Sequence, residues 1–490
     1  MRSAAPSHYI SPPDLILPSH GDNTNSSTNK DAECEDLISK LTAIWTGIHT
    51  TPNQAFYRDI CQSLAVLHLS EGDMWRAAFY LTETQAITFS HKANLISAQK
   101  LYKYNKEADR SKDLSLFQLP LKKSLQTFKE AVNSLPEDWV SCTIAVVTLP
   151  GSNIQQLYFV RLQAKQEPVV IQAVGVTNAE VIWNSLKDLL KSSKDSMALA
   201  DKVMWWEKRR QIDESLKELL QSVQAQLSVS RTALLGCYID KKCRQIVEKH
   251  TDKLMKKFKE MNISISRSLL YMLVNGASKV SSTELEAFLK RKYSSMSDEL
   301  ISKFSALIIA GQDVYIDTRS PVVMCLDKWA HGFCWESLEC LSYSPVTRMP
   351  SIYSIQSYLK EFSSRGDSIF TNGAYTENTY YILNPDNNLP ATESLFKPIL
   401  TRRETWDGII STQPTAEQYK QGLSKHSLFL YLGHGSGQKF LKGRDLCHLD
   451  CNTVVMLMGC SSGAFDSRGD MEPAGIIQDY HIASCGRRKC

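Results

Sequence analysis

The chain has 490 residues and no run of eighteen apolar ones, so a membrane-spanning helix is not expected. Its amino terminus, MRSAAPSHYISPPDLILPSHGD, carries a basic residue with no long apolar core behind it. A secretory signal is therefore not expected either. Net charge is only +4, too little in so long a chain to argue for direct nucleic-acid binding. The 13 cysteines follow no regular framework; without a secretory signal they read as free thiols in a reducing compartment. Cys447 and Cys451 stand in C-H-x-x-C, which could open a zinc site. No second ligand pair follows at a matching spacing, and ordinary thiols are the plainer reading. Nothing here calls for a metal or a cofactor.

What is present changes character along the chain. Residues 1–30 are rich in Pro, Ser, Asn and Thr and read as a disordered leader. From there to about 135, apolar residues recur at three and four positions, as in FYRDICQSLAVLHLSEG. This is the pattern of stacked helices, without a repeat period clear enough to assign. Near Trp139 three short strands are predicted, in WVSCTIAVVTLPGSN, QQLYFVRLQ and EPVVIQAVG. Long charged helices follow to about Met261, and the basic stretch KKCRQIVEKHTDKLMKKFKE reads as a solvated helix face. A further helix pair turns at Asn275-Gly276.

From Gln312 strands and helices alternate. Strands are predicted at Val322–Leu326, Thr379–Leu383, Ser427–Leu432 and Val454–Met458. Helices are predicted around Ser351–Phe362, Thr392–Leu400 and Thr415–Leu423. Such alternation implies a largely parallel sheet covered by helices. The regions are thus 1–30, 31–135, 136–311 and 312–490.

Two of these strands end in unusual residues. In 431-YLGHGSGQKFL-441 an imidazole, His434, sits between glycines; in 454-VVMLMGCSSG-463 a thiol, Cys460, precedes small residues. Sites in open α/β sheets form outside the carboxyl ends of the strands. If the strands are neighbours, both side chains open onto one edge. An imidazole beside a thiol takes its proton or holds the thiolate, which makes the sulfur a nucleophile. Acyl transfer also needs donors for the developing oxyanion, and the backbone N–H groups of Gly435 and Cys460 are the candidates. Rival readings are a His-Gly turn with an ordinary cysteine, a phosphate-binding loop, and a zinc site. No Gly-Lys-Ser/Thr follows GHGSG, and two further zinc ligands are not placed.

Taken together, several blocks resemble the separase family of caspase-like cysteine proteases. LYLGHGSGQKFL and VVMLMGCSSGA resemble the family's histidine and nucleophile strands. CLDKWAHGFCWESLECLSYSPVTRMPSIYSI resembles its segment with W-E-S and R-x-P-S blocks. YYILNPDNNLPATESLF, TWDGIIS, WWEKRRQID and FYLTETQAITFSHK resemble others, so the likeness runs from about Gly72 to Ser484.

The resemblance implies an α/β caspase-like protease domain at 312–490. Before it would come a pseudo-protease or substrate-binding α/β region with a long helical insertion at 136–311, and α-helical repeats. It implies His434 as general base and Cys460 as nucleophile in a dyad. It implies cleavage of the cohesin kleisin subunit after arginine in E-x-x-R contexts, triggering sister chromatid separation. The inhibitory chaperone securin is the implied partner, with no membrane. The implied location is cytoplasm and nucleus, with spindle and chromosomes at mitosis. The family continues past this point with a W-D-V-T-D block that supplies an acid for the arginine pocket, whereas this chain reads SCGRRKC and stops at Cys490. The expectation is therefore a C-terminally truncated, poorly active or inactive form. Asp466, Asp470 and Glu472 are the nearby acids and are not expected to substitute. Two other readings remain: a non-catalytic module that docks securin or substrate, and a different caspase-like hydrolase. A self-cleavage site at Arg110 in 107-EADR-110 is a further, weaker expectation; 207-EKRR-210 also fits the pattern.

Overall fold

The computed structural model describes residues 27–50, 52–106, 119–148, 154–310, 318–363, 373–451, 453–469 and 471–483. Residues 1–26 of the leader, Arg110 and Asp470 lie outside them; the leader's last four residues, expected to be disordered, instead open helix Ser27–Ile48. Among the described residues no helix is long and apolar enough to cross a membrane. The chain forms two compact units. One comprises residues 1–51, 56–85 and 136–348; the other comprises 52–55, 86–135 and 349–490.

The first unit is built on a mixed five-stranded sheet. Its strands are β1 (Val140–Thr148), β2 (Gln155–Leu162), β3 (Val169–Gln172), β4 (Val322–Leu326) and β5 (Val346–Arg348), in the order β3-β2-β1-β4-β5. β1 to β3 are antiparallel neighbours, while β4 and β5 run parallel to β1. β1 and β4 are buried almost throughout, as expected of strands covered on both faces. Around them pack Ala179–Asp195, Lys202–Leu227, Lys241–Glu260 and Arg267–Asn275, whose apolar stripes merge into one large core. In Lys241–Glu260 the buried side is Cys243, Val247, Thr251, Leu254 and Phe258, at helical spacing, with the lysines outside. Trp335 is fully buried there against Phe159, Trp183 and Phe333.

The change of pattern near residue 312 does not separate the two sheets. Val322–Leu326 pairs with β1, and its alternate residues Val322, Met324 and Leu326 join the first core. The W-E-S and R-x-P-S blocks find their place here. Arg348 forms a two-pronged pair with Glu336, at 2.5 and 2.7 Å, and caps the carbonyls of His331 and Phe333.

The second unit holds a four-stranded, wholly parallel sheet: β6 (Thr379–Leu383), β7 (Asp407–Ile410), β8 (Leu428–Leu432) and β9 (Val454–Leu457), in the order β7-β6-β8-β9. Side chains alternate across it. Phe429 and Tyr431 pack on one face with Tyr419, Leu423 and Ile476; Leu432 packs on the other with Tyr381, Leu383 and Leu400. Helix Ala416–Lys425 begins at a capping box in which Thr415 and Gln418 bond each other's backbone. A short hairpin of β10 (Asp466–Arg468) and β11 (Met471–Ala474) follows the Cys460 segment. β7 was not predicted: it contains Asp407-Gly408, is largely exposed and lies at the sheet edge.

Candidate functional site

β6 is followed in sequence by β7 on one side of it, and β8 lies on its other side. Loops leaving the carboxyl ends of β6 and β8 therefore diverge, which opens a crevice at the point where the strand order reverses. The loop after β8 carries His434. The segment after β9, the next strand over, carries Cys460. Tyr431 and Leu457 are directly opposite in the parallel ladder, and each of the two residues lies three positions beyond that pair. The ladder ends with Met458 N–H donating to the Tyr431 carbonyl at 2.9 Å.

Beyond the ladder the two backbones touch. A Cβ at Gly459 would lie 2.0 Å from the Gly435 carbonyl oxygen and 2.6 Å from that of Gly433. Only a glycine lets the cysteine segment seat on the histidine turn so closely. Gly435 (φ 62°) and Gly437 (φ 76°) bend the histidine turn back on itself, and Ser461 (φ 61°) makes the matching bend after the cysteine. Ser462 N–H and Ala464 N–H close this second turn on the carbonyls of Gly459 and Ser461. The histidine turn is also held from below, where the buried Tyr431 hydroxyl donates to the His434 carbonyl at 2.8 Å. Burial pushes the Tyr431 phenol up to about 12, so it remains a donor at neutral pH.

His434 and Cys460 are both exposed. Among the described residues neither the Gly435 nor the Cys460 N–H is engaged by a backbone acceptor, so both can serve an incoming oxygen.

The β6 loop, 384-NPDNN-388, supplies residues that reasoning from the sequence did not single out. Asn388 Oδ1 lies 3.0 Å from His434 Nε2. Asp386 accepts from Lys439 at 2.5 Å and Gln413 at 2.9 Å; these bonds, with the charge of Lys439, hold its carboxyl below the ordinary range. Asn384, at φ 50° and buried, accepts the N–H groups of Asn388 and Leu389 on its side-chain oxygen, each at 2.9 Å. Its own amide donates to Glu393 at 2.9 Å, and Glu393 also accepts from Ser411. Those two bonds and one from Lys397 bring the Glu393 carboxyl down to about 2. Besides the family likeness of the block YYILNPDNNLPATESLF, the sequence signal for this loop is its density of Asn and Asp ahead of a proline, the mark of a side-chain-stabilised turn.

Other candidates are placed elsewhere. Glu472 is buried, and its two oxygens accept the Ile87 and Thr88 N–H groups at the start of helix Ile87–Lys106, at 2.8 and 2.9 Å. Asp466 is exposed on β10. Cys447 and Cys451 are buried free thiols, and among the described residues no group of three or more potential ligands could hold a metal ion. Glu207 to Arg210 lies inside helix Lys202–Leu227, where Arg209 stacks over Trp205.

Residues 152–487 match the protease domain of separin. The chain is 27% identical to mouse separin over 485 residues, 92% of this chain and 23% of the relative. It is 26% identical to Schizosaccharomyces pombe separin over 491 residues, 88% of this chain and 25% of the relative. It thus spans about a quarter of the length of these curated relatives. Among solved structures it is similar to two of the Saccharomyces cerevisiae separase–securin complex, at 3.0 and 2.6 Å resolution. The TM-scores are 0.67 and 0.69, with 16% identity, covering 92% of this chain and 33% of the matched chain. That likeness extends to the fold what the sequence match establishes over most of the length: this chain belongs to the separin protease-domain family.

Proposed function

We propose that the chain is a separase-type cysteine endopeptidase whose nucleophile is Cys460 and whose general base is His434. The observation that carries this reading is the seating of Gly459 on the carbonyls of Gly433 and Gly435. That contact brings an exposed thiol and an exposed imidazole to one edge of a parallel sheet. In the reaction, the imidazole accepts the thiol proton as sulfur attacks the scissile carbonyl. The N–H groups of Gly435 and Cys460 bond the oxyanion. The imidazolium then gives its proton to the departing amine, and water, deprotonated by the same ring, releases the acyl group from sulfur.

The substrate is the kleisin subunit of cohesin, cut after arginine in an E-x-x-R context to separate sister chromatids. The partner is securin, with which the similar yeast separase was crystallised. On this reading the second unit is the caspase-like protease domain and the first sheet with its helices is a pseudo-protease region. The chain works in the cytoplasm and nucleus, on spindle and chromosomes at mitosis.

The test is cleavage of a fluorogenic peptide carrying E-x-x-R by the purified chain. Hydrolysis after the arginine, lost on Cys460→Ser, is expected on this proposal, and it would set aside the expectation of a poorly active or inactive form. Cleavage that survives Cys460→Ser, or no hydrolysis and no labelling of Cys460 by an acylating probe with arginine at the cleaved position, overturns the proposal.

A further inference from the structure

We infer that Asn388 is the positioning residue that fixes the orientation and tautomer of His434, leaving Nδ1 as the ring atom that takes the Cys460 proton. This rests on the dyad proposed above and names the group that completes it. An imidazole has two distinct nitrogens, and the bond made by one decides which proton-transfer role is left to the other. His434 Nε2 lies 3.0 Å from Asn388 Oδ1. An amide oxygen only accepts, so Nε2 carries the hydrogen and Nδ1 keeps its lone pair.

An exposed Asn–His contact could be incidental. Its support argues otherwise. The Asn388 backbone is pinned by Asn384 Oδ1, which accepts its N–H at 2.9 Å. Asn384 is buried, and its own N–H donates at 2.8 Å to the carbonyl of Leu432, the last residue of the histidine strand. Its amide is anchored in turn by Glu393, which also holds Ser411. The loop that presents Asn388 and the strand that presents His434 are therefore tied to each other two residues before the imidazole. A thin surface contact is backed by a buried frame, the arrangement a positioning group requires. The charged groups beside the ring are Asp386 and the Lys439 bonded to it; neither is altered in the variants below.

The experiment measures alkylation of Cys460 by iodoacetamide between pH 5 and 9 in the full chain, followed on the Cys460 peptide by mass spectrometry. Variants are Asn388→Ala, Asn388→Asp and His434→Ala. It is paired with ¹⁵N spectra of labelled histidine, with His434 assigned by its loss in His434→Ala. Wild-type His434 is expected as the Nε2–H tautomer. Asn388→Ala should slow alkylation at pH 7 by roughly tenfold or more toward the His434→Ala rate, and mix the tautomers, in line with the tenfold to hundredfold typical of groups that orient a reactive one. Asn388→Asp should retain fast alkylation and move the imidazole's titration to higher pH, because a carboxylate favours the imidazolium. That shift follows from the new charge alone, so the tautomer and the Asn388→Ala rate are the readouts that separate a positioning role from an incidental contact. An Asn388→Ala rate equal to wild type, or a wild-type Nδ1–H tautomer, overturns the inference. A His434→Ala rate equal to wild type instead overturns the dyad itself, so the two failures are told apart.

Discussion

The carboxyl edges of the two sheets carry similar residue types in opposite surroundings. After β4 come Asp327, buried, and His331, half-buried; after β8 and β9 come His434 and Cys460, both exposed. Burial raises Asp327 to about 6, against the pull of Arg58 and Lys328, and lowers His331 to about 4, helped by Arg348. Both shifts favour the uncharged form. The first edge is thus closed and held by the aromatic packing around Trp335, whereas the second is open and held by backbone contact between glycines. Topology offers a site at either edge; whether chemistry can occur there is decided by what lies over it.

The largest effect should come from opening the closed edge. Trp335→Ala removes a fully buried indole that also donates to the Ala330 carbonyl at 2.9 Å. A loss of about 3–5 kcal/mol is expected in urea unfolding. Alkylation of Cys460, measured where the variant is still folded, should stay near wild type; a parallel loss would break the contrast between the edges.

Gly459→Ala should do the reverse. Its methyl would overlap two carbonyl oxygens that belong to backbone and cannot swing aside. A stability loss of about 1–3 kcal/mol is expected from overpacking. Peptide hydrolysis should fall about a hundredfold, as when a reacting group is displaced by about 1 Å. Wild-type hydrolysis in this variant would show that the carbonyl contact does not set the site.

The smallest effect concerns pH. Asp327 is raised in the fold, so its contribution is complete below 3.8 and declines as pH rises toward about 6. His331 is lowered, so its contribution is complete above 6.5 and declines as pH falls toward about 4. Between pH 4 and 6 the two slopes oppose each other. Asp327→Asn should leave Tm rising across that window, and His331→Gln should leave it falling. Identical Tm profiles for the two variants would remove the physical account of the closed edge.

Much of this was legible in the sequence. β4, β6, β8 and β9 are compact apolar runs, and their boundaries follow from the punctuation around them. His434 and Cys460 stand out as candidates because a polar reactive group ending such a run is conspicuous. What stayed hidden was partnership. Val322–Leu326 reads like the strands that follow it, and only the shape of the first core assigns it to β1. Asn388 was not singled out, because its meeting with His434 spans 46 residues and depends on β6 and β8 lying side by side. Glu472, read as a nearby acid, is committed to the N–H groups of residues 87 and 88, more than 380 positions away.

The wholly parallel second sheet has a consequence for the newly made chain. No two of its strands can be joined by a tight hairpin, so every pairing closes a long loop before any stabilising contact forms. The β8–β9 ladder unites segments about 26 residues apart and cannot register until the intervening chain has packed. A ribosome-bound or partly folded polypeptide therefore carries its thiol and its imidazole as two unrelated side chains. On the proposed function, reactivity arrives only with the finished sheet, so slow assembly would keep the thiol inactive during synthesis.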